Sequence, residues 1–267
     1  MRHVTLVLPL LAGACISAAF AQDKPQYAQE FCVKVNPGKG AEVAAMIPDV
    51  MKLNQVRIDE NTLSWFAVLS ASIPAGTSAR CDYKFVYGYD GFPPEPATRE
   101  QSEHRFAKAK IAGTYAQMLA KRDANTTLVS DDLWRAIDGG TAGGSSTKGN
   151  YLRFNLYKVK PGHTMADWAK LELEGWKPYA EAAAKENPGF AWRAVGLSQP
   201  TGNSLHYNAM TVDIYPNWTT SGQGNSLALW NKVHPDLPGN DYLAKVNDVV
   251  DRYKSELYRV VDLIHKK

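Results

Sequence analysis

Apolar and polar residues alternate along several stretches of the chain with the two-residue rhythm of a β-strand. In Tyr151 to Val159, Leu152, Phe154 and Leu156 share one side, and Arg153, Asn155 and Tyr157 share the other. Similar runs predict strands at Phe190 to Leu197, His206 to Tyr215 and Glu256 to Ile264. Earlier in the chain they predict strands near Glu30 to Val35, Leu63 to Leu69, Asp82 to Tyr89 and Leu133 to Ile137. Between them the rhythm lengthens to that of a helix near Ala41 to Arg57 and Arg99 to Asp123. A third helix runs from Thr164 to the Pro188-Gly189 stop, and a fourth region from Asn225 to Lys254 is broken at Pro235 to Pro238. Thr164 with Asp167 three residues later has the form of a capping box. Each half therefore reads strand, helix, strand, strand, helix, strand.

The halves also repeat in sequence. Val33-Lys34-Val35-Asn36-Pro37-Gly38 returns as Tyr157-Lys158-Val159-Lys160-Pro161-Gly162. Leu133-Trp134-Arg135-Ala136-Ile137-Asp138 returns as Leu257-Tyr258-Arg259-Val260-Val261-Asp262, at the same offset of 124 residues. Two copies of one unit follow, in an α+β chain with a first ferredoxin-like βαββαβ repeat over 22–138, a Gly/Ser-rich linker over 139–149 and a second repeat over 150–267. Such a sheet carries helices on one face only, so its other face needs a partner. The duplication and the element order over 29–264 resemble the dimeric α/β barrel superfamily, with the two sheets facing each other in one intramolecular barrel. Trp176-Lys177-Pro178 on the helix of the second copy is similar to secreted, uncharacterised bacterial members. The resemblance implies a fold shared by cofactor-free monooxygenases, lactone isomerases, polyketide cyclases, haem enzymes and proteins without known activity, so function has to come from the site.

Residues 1–21 combine Arg2 and His3, an apolar run from Val4 to Leu11 and a small-residue close at Ala19-Phe20-Ala21, the order of a secretory signal peptide. A secreted or periplasmic protein is expected. The net charge of +3 is too near balance to indicate nucleic acid, and no segment reaches the length of a membrane span. Beyond the signal only Cys32 and Cys81 remain. In an oxidising compartment they read as a disulfide between the first and third strands, or otherwise as two buried thiols. No phosphate loop, dinucleotide fingerprint, serine elbow or metal-ligand spacing is present, so no metal and no cofactor is expected. His104 and His234 are the residues a haem reading would have to use.

Alternation leaves two faces to assign. Leu152, Phe154, Leu156, Met210, Val212 and Ile214 read as the helix-facing surface. The opposite surface, with Arg153, Asn155, Tyr157, Tyr207, Thr211, Asp213 and Tyr215, would then line the barrel against Phe31, Val33, Val35, Tyr83, Phe85, Tyr87 and Tyr89 of the first copy. Apolar walls with a few polar groups suit a small-molecule pocket, although Arg153 and Asp213 could also pair simply to fill a core. On the helix, Glu172 falls within a stripe formed by Met165, Trp168, Trp176, Tyr179 and Ala183. A carboxylate there is desolvated and suited to acid or base work, or else it anchors the helix. Its counterpart in the first copy is Pro48. The catalytic candidates are Glu172, His206 and Arg193. The substrate-binding candidates are Arg153, Tyr157, Trp168, Trp176, Tyr207 and Asp213. The expected function is a cofactor-free enzyme of lyase, isomerase or oxygenase type acting on a small aromatic or polycyclic molecule. The alternative is a non-catalytic small-molecule-binding protein, and a homodimer of the whole chain fits either.

Overall fold

The structure, a computed structural model, describes residues 25–202, 205–222 and 226–266; the signal segment lies outside them. The first half contains β1 (Gln26–Val35), α1 (Gly40–Asp59), β2 (Trp65–Ile73), β3 (Tyr83–Asp90), α2 (Arg99–Lys108), α3 (Tyr115–Asn125) and β4 (Thr126–Gly143). The second contains β5 (Tyr151–Val159), α4 (Met165–Leu171), a π-helical turn (Glu172–Trp176), α5 (Lys177–Glu186), β6 (Ala191–Gln199) and β7 (Ala209–Tyr215). It continues with α6 (Trp218–Gly222), α7 (Leu227–Val233), α8 (Gly239–Val249) and β8 (Val250–His265). The expected helix over Arg99 to Asp123 is two helices. Lys110 and Gly113 adopt positive φ between them, and Thr114 starts the second with its own capping box.

The eight strands close into one antiparallel barrel in the order β1-β3-β2-β8-β5-β7-β6-β4. Closure depends on the two last strands of the repeats. β4 pairs with β1 of its own half and with β6 of the other, and β8 pairs with β5 and crosses to β2. Both strands are longer than the alternation predicts. Residues 139–143 of the glycine-rich segment belong to β4, where Thr141 and Ala142 pair with Arg193 and Trp192. Ala136 pairs with Val195 but Thr141 with Arg193, so residues 137–140 form a wide bulge.

The two faces of the second sheet are the reverse of the expected assignment. Leu152, Phe154, Leu156, Met210, Val212 and Ile214 point into the barrel, where they pack with Leu69, Val86, Trp134, Tyr258 and Val260. The polar row lies under the helices instead. In the first half Tyr83, Phe85, Tyr87 and Tyr89 likewise pack with Ile47 and Met51 of α1, outside the barrel. Alternation states which residues share a side but not which side the helices cover. An eight-stranded barrel interior is just wide enough to be filled by side chains, and the aliphatic residues of both copies fill it.

One end of that interior is charged. Arg80 enters from the β2–β3 connection and bonds Glu30 Oε1 (2.9 Å), Ser130 Oγ (3.0 Å) and Tyr207 Oη (2.8 Å), and its backbone N–H donates to Glu256 Oε1 (2.9 Å). Tyr207 donates to Asp132 Oδ2 at 2.7 Å. Lys84, wholly buried, holds its Nζ 2.9 Å from Glu30 Oε1 and 3.8 Å from the centre of the Phe154 ring. Burial lowers the Lys84 pKa, an effect that the Glu30 carboxylate only partly offsets. Beside Arg80, Cys81 is bridged to Cys32, with Cα atoms 5.3 Å apart and the two residues 49 positions apart in sequence. The bridge ties the hairpin that carries Arg80 to β1.

Arg80 thus joins β1, β4 and β8 to the β6–β7 hairpin, and its side chain is 9% exposed. Arg80→Ala leaves Asp132 buried without its cation and Glu30 with Lys84 alone, and breaking a pair of this kind costs about 3–5 kcal/mol. Urea unfolding with the disulfide intact measures it; a loss near that of a surface pair, below about 1 kcal/mol, would contradict the description.

Candidate functional site

The polar row of the second sheet and the helices above it enclose a cluster of titratable groups. Register fixes the floor: Trp192, Asp213 and Arg153 stand in one row, Ala194, Thr211 and Asn155 in the next, and Gly196, Ala209 and Tyr157 beyond them. Asn155 Nδ2 donates to Asp213 Oδ2 (3.0 Å) and Thr211 Oγ1 (3.2 Å), and its own oxygen accepts from Ser255 Oγ (2.8 Å). The Asp213 carboxylate is therefore held from below.

The roof is the α4–α5 stretch. Thr164 caps α4 by accepting from the Asp167 N–H at 3.2 Å, as the capping box predicts. Met165, Trp168 and Glu172 follow at intervals of three and four and share one face. The helix then widens into the π turn, a feature often found at functional positions. His234 Nε2 donates to the Gly175 carbonyl at 2.7 Å, and a Cβ at Gly175 would overlap the Tyr242 ring. Trp176 packs on Tyr179 (5.0 Å) and Tyr242 (6.4 Å). The π turn is thus wedged between α8 and the sheet.

Glu172, 4% exposed, sits inside this enclosure. Burial pushes its pKa up to about 8, with the Asp213 charge adding to the effect and Trp168 and Arg252 opposing it. The Trp168 indole N–H is close enough to exert that influence yet makes no aligned hydrogen bond, and the Trp192 N–H is likewise unpartnered. Burial pushes Asp213 up to about 6 against the hydrogen bond from Asn155 and the charges of Arg153 and Arg252. Tyr157 is pushed up to about 12 by burial and by Glu172. Two carboxyl groups in one enclosure with separated pKa values can hold a single proton between them, one as acid and one as base.

The structure thus brings Glu172, Asp213, Tyr157, Trp168 and Trp176 together, with Arg153 at the end of the row. Arg153 is partly committed, donating to the Ser221 carbonyl (2.5 Å) and lying over Tyr215. The other three candidates stand elsewhere. Arg193 donates to the carbonyls of Ala142, Trp192 and Gly144 and pins the end of β4. His206 is exposed and stacked on Tyr253 at 5.4 Å. Tyr207 belongs to the Arg80 network inside the barrel. Arg252, whose guanidinium lies 5.7 Å from the Tyr157 ring centre, escaped prediction because β8 begins at Val250 rather than at Glu256. Tyr242 could have been found from its helical spacing with Val246 and Val249, which are buried with it in this core. His104 is exposed on α2, and His234 is engaged with Gly175. Among the described residues no group of three or more His, Cys, Asp or Glu is placed to hold a metal.

No protein-family profile matches the sequence, and no curated protein does. Solved structures match in fold. Two are each named "putative monooxygenase". The one from Fusobacterium nucleatum subsp. nucleatum has a TM-score of 0.52 at 11% identity, covering 91% of this chain and 95% of that one. The one from Lactobacillus acidophilus has 0.51 at 10%, covering 91% and 97%. The encapsulated DyP-type peroxidase from Mycobacterium smegmatis has 0.50 at 12%, covering 90% and 92%. At these identities the likeness is one of fold: the chain is an internally duplicated dimeric α/β barrel of ferredoxin-like units.

The raised carboxyl pKa values fix a pH dependence. The folded-state values of Glu172 and Asp213 lie above their ordinary values of 4.5 and 3.8. The folded state therefore binds more protons, and stability declines as pH rises toward about 8. Glu172→Gln removes the Glu172 part, so the melting temperature of the variant should gain on that of the wild type as pH is raised through neutrality. Parallel curves across that range would show that Glu172 ionises normally.

Proposed function

We propose that the second half carries a small-molecule site between its helices and the sheet, in which Glu172 and Asp213 move a proton on an apolar, aromatic substrate. The observation that carries this reading is the buried carboxyl pair, Glu172 at about 8 and Asp213 at about 6. Between those values Glu172 keeps its proton while Asp213 has lost its own. Asp213, oriented by Asn155, serves as the base, and Glu172 serves as the acid. Tyr157, Trp168 and Trp176 supply aromatic wall, and Arg153 is the cation beside the base that can stabilise developing negative charge. His206, Arg193 and Tyr207 have no part in this arrangement. The first half has no equivalent, since Pro48 stands within α1 at the position aligned with Glu172.

Chemistry of this kind suits an enzyme of lyase, isomerase or oxygenase type that works without a cofactor. A secreted or periplasmic setting is supported by the Cys32–Cys81 bridge. No helix among the described residues is long and apolar enough to cross a membrane. The enclosure of Glu172 favours one other reading, a binding protein in which the same acid donates a hydrogen bond to a ligand without turnover.

Native mass spectrometry of the protein with phenolic and polycyclic aromatic compounds identifies a ligand, and its turnover is then followed against pH. The expected profile is bell-shaped, with limbs belonging to the pair near 6 and 8. Glu172→Gln should bind the ligand and abolish turnover. Unchanged turnover in Glu172→Gln would refute the catalytic assignment, and binding without turnover in the wild type would favour the binding protein.

A further inference from the structure

A groove of about 500 Å³ lies on the outer surface at the β4–β6 seam, lined by Arg135, Ile137, Met165, Leu173, Gly196 and Leu197 among others. Its size is that of a small-molecule pocket. Two irregular segments border it, one from each half. One is the β4 bulge at 137–140, whose Gly139 lies against Leu173 and Lys177. The other is the π turn that begins at Glu172.

The groove and the Glu172 enclosure are joined along two lines. On the sheet, Gly196 in the groove wall is level with Ala209 and then Tyr157, so the floor stays low between the two sites. On the helix, Met165 in the groove, Trp168 and Glu172 share one face. Between these lines stands Met165, whose terminal methyl lies only 3.0 Å from where a Cβ on Gly196 would be. Met165 is half-buried and packs against the core that contains Trp168. An unbranched thioether side chain is well suited to swing aside.

We propose that this groove is the port through which small apolar molecules reach the Glu172–Asp213 pair, with the Met165 side chain as its movable cover. It takes its purpose from the acid–base reading of that pair, but access can be measured without turnover. Ile137, Leu173 and Met165 give the port an apolar lining, while Arg135 and Asp138 stand at its polar margin.

The test is the rate at which Glu172 is coupled to glycine ethyl ester by a water-soluble carbodiimide, read by peptide mass spectrometry on the full chain. The wild type should react slowly. Met165→Ala should react severalfold faster, and Ser198→Trp or Arg135→Trp, which fill the groove, slower than the wild type. Leu229→Ala, which opens the same core on α7 away from the groove, should have little effect. Equal acceleration by Met165→Ala and Leu229→Ala would mean entry by general loosening of the core and would overturn the port. Glu172 inert in every variant would overturn it too. If the port fails while the bell-shaped pH profile holds, the substrate enters by another route. If Met165 controls the reaction while Glu172→Gln retains turnover, the port stands and the acid–base reading falls.

Discussion

The backbone hydrogen bonds that β4 and β8 make across the seam between the halves are the constraint on which the rest depends. A four-stranded ferredoxin-like sheet has one uncovered face and two exposed edges, a combination that invites aggregation. Carrying β4 onto β6 and β8 onto β2 removes the edges and closes the uncovered faces on each other. With the aliphatic sides shut inside, the helix-facing sides are free to differ between the copies. In the first they hold tyrosines against α1; in the second they hold Asp213, Asn155 and Thr211 beneath Glu172.

The barrel separates two kinds of buried charge. Inside, carboxylates and cations are interleaved, so that Glu256 has its pKa lowered despite burial, by Lys84, Arg80 and Lys254. Such a network specifies how the halves meet, and its charges are largely paired with one another, although burial still raises Asp132 and lowers Lys84. Outside, under the helices, Glu172 and Asp213 have no cation at bonding distance among the described residues. Desolvation there is left largely uncompensated, and both acids hold their protons to higher pH than an ordinary carboxylic acid, Glu172 furthest. The difference between a cluster of interleaved opposite charges and a pair of acids without a bonded cation is the physical basis for assigning structure to the first and chemistry to the second.

The duplication, the element order and the position of Glu172 in an aromatic stripe were legible in the sequence because each is a matter of spacing along the chain, and the Cys32–Cys81 bridge because two cysteines remain beyond the signal on strands the fold makes neighbours. The orientation of the sheets was not. Leu152 and Arg153 alternate identically whichever side the helices cover, and the choice is made by how both copies fill the barrel. The Arg80 network was equally hidden, since Glu30, Lys84, Asp132 and Glu256 lie far apart in the sequence and converge only after closure. Tyr207 looked like a continuation of the Asp213 face and His206 like the start of its strand, but β7 begins at Ala209. The hairpin before it turns Tyr207 into the barrel and leaves His206 outside.

The central claim is that Glu172 is a carboxylic acid, not a carboxylate, at neutral pH. Infrared difference spectroscopy between wild-type protein and Glu172→Gln at pH 7, on protein carrying 13C-labelled glutamate, reads this directly. The account predicts that the substitution removes a protonated-carboxyl C=O stretch, shifted by the label, and that this band fades as pH is raised past about 8. A difference spectrum showing only the loss of a carboxylate band at pH 7 would contradict it.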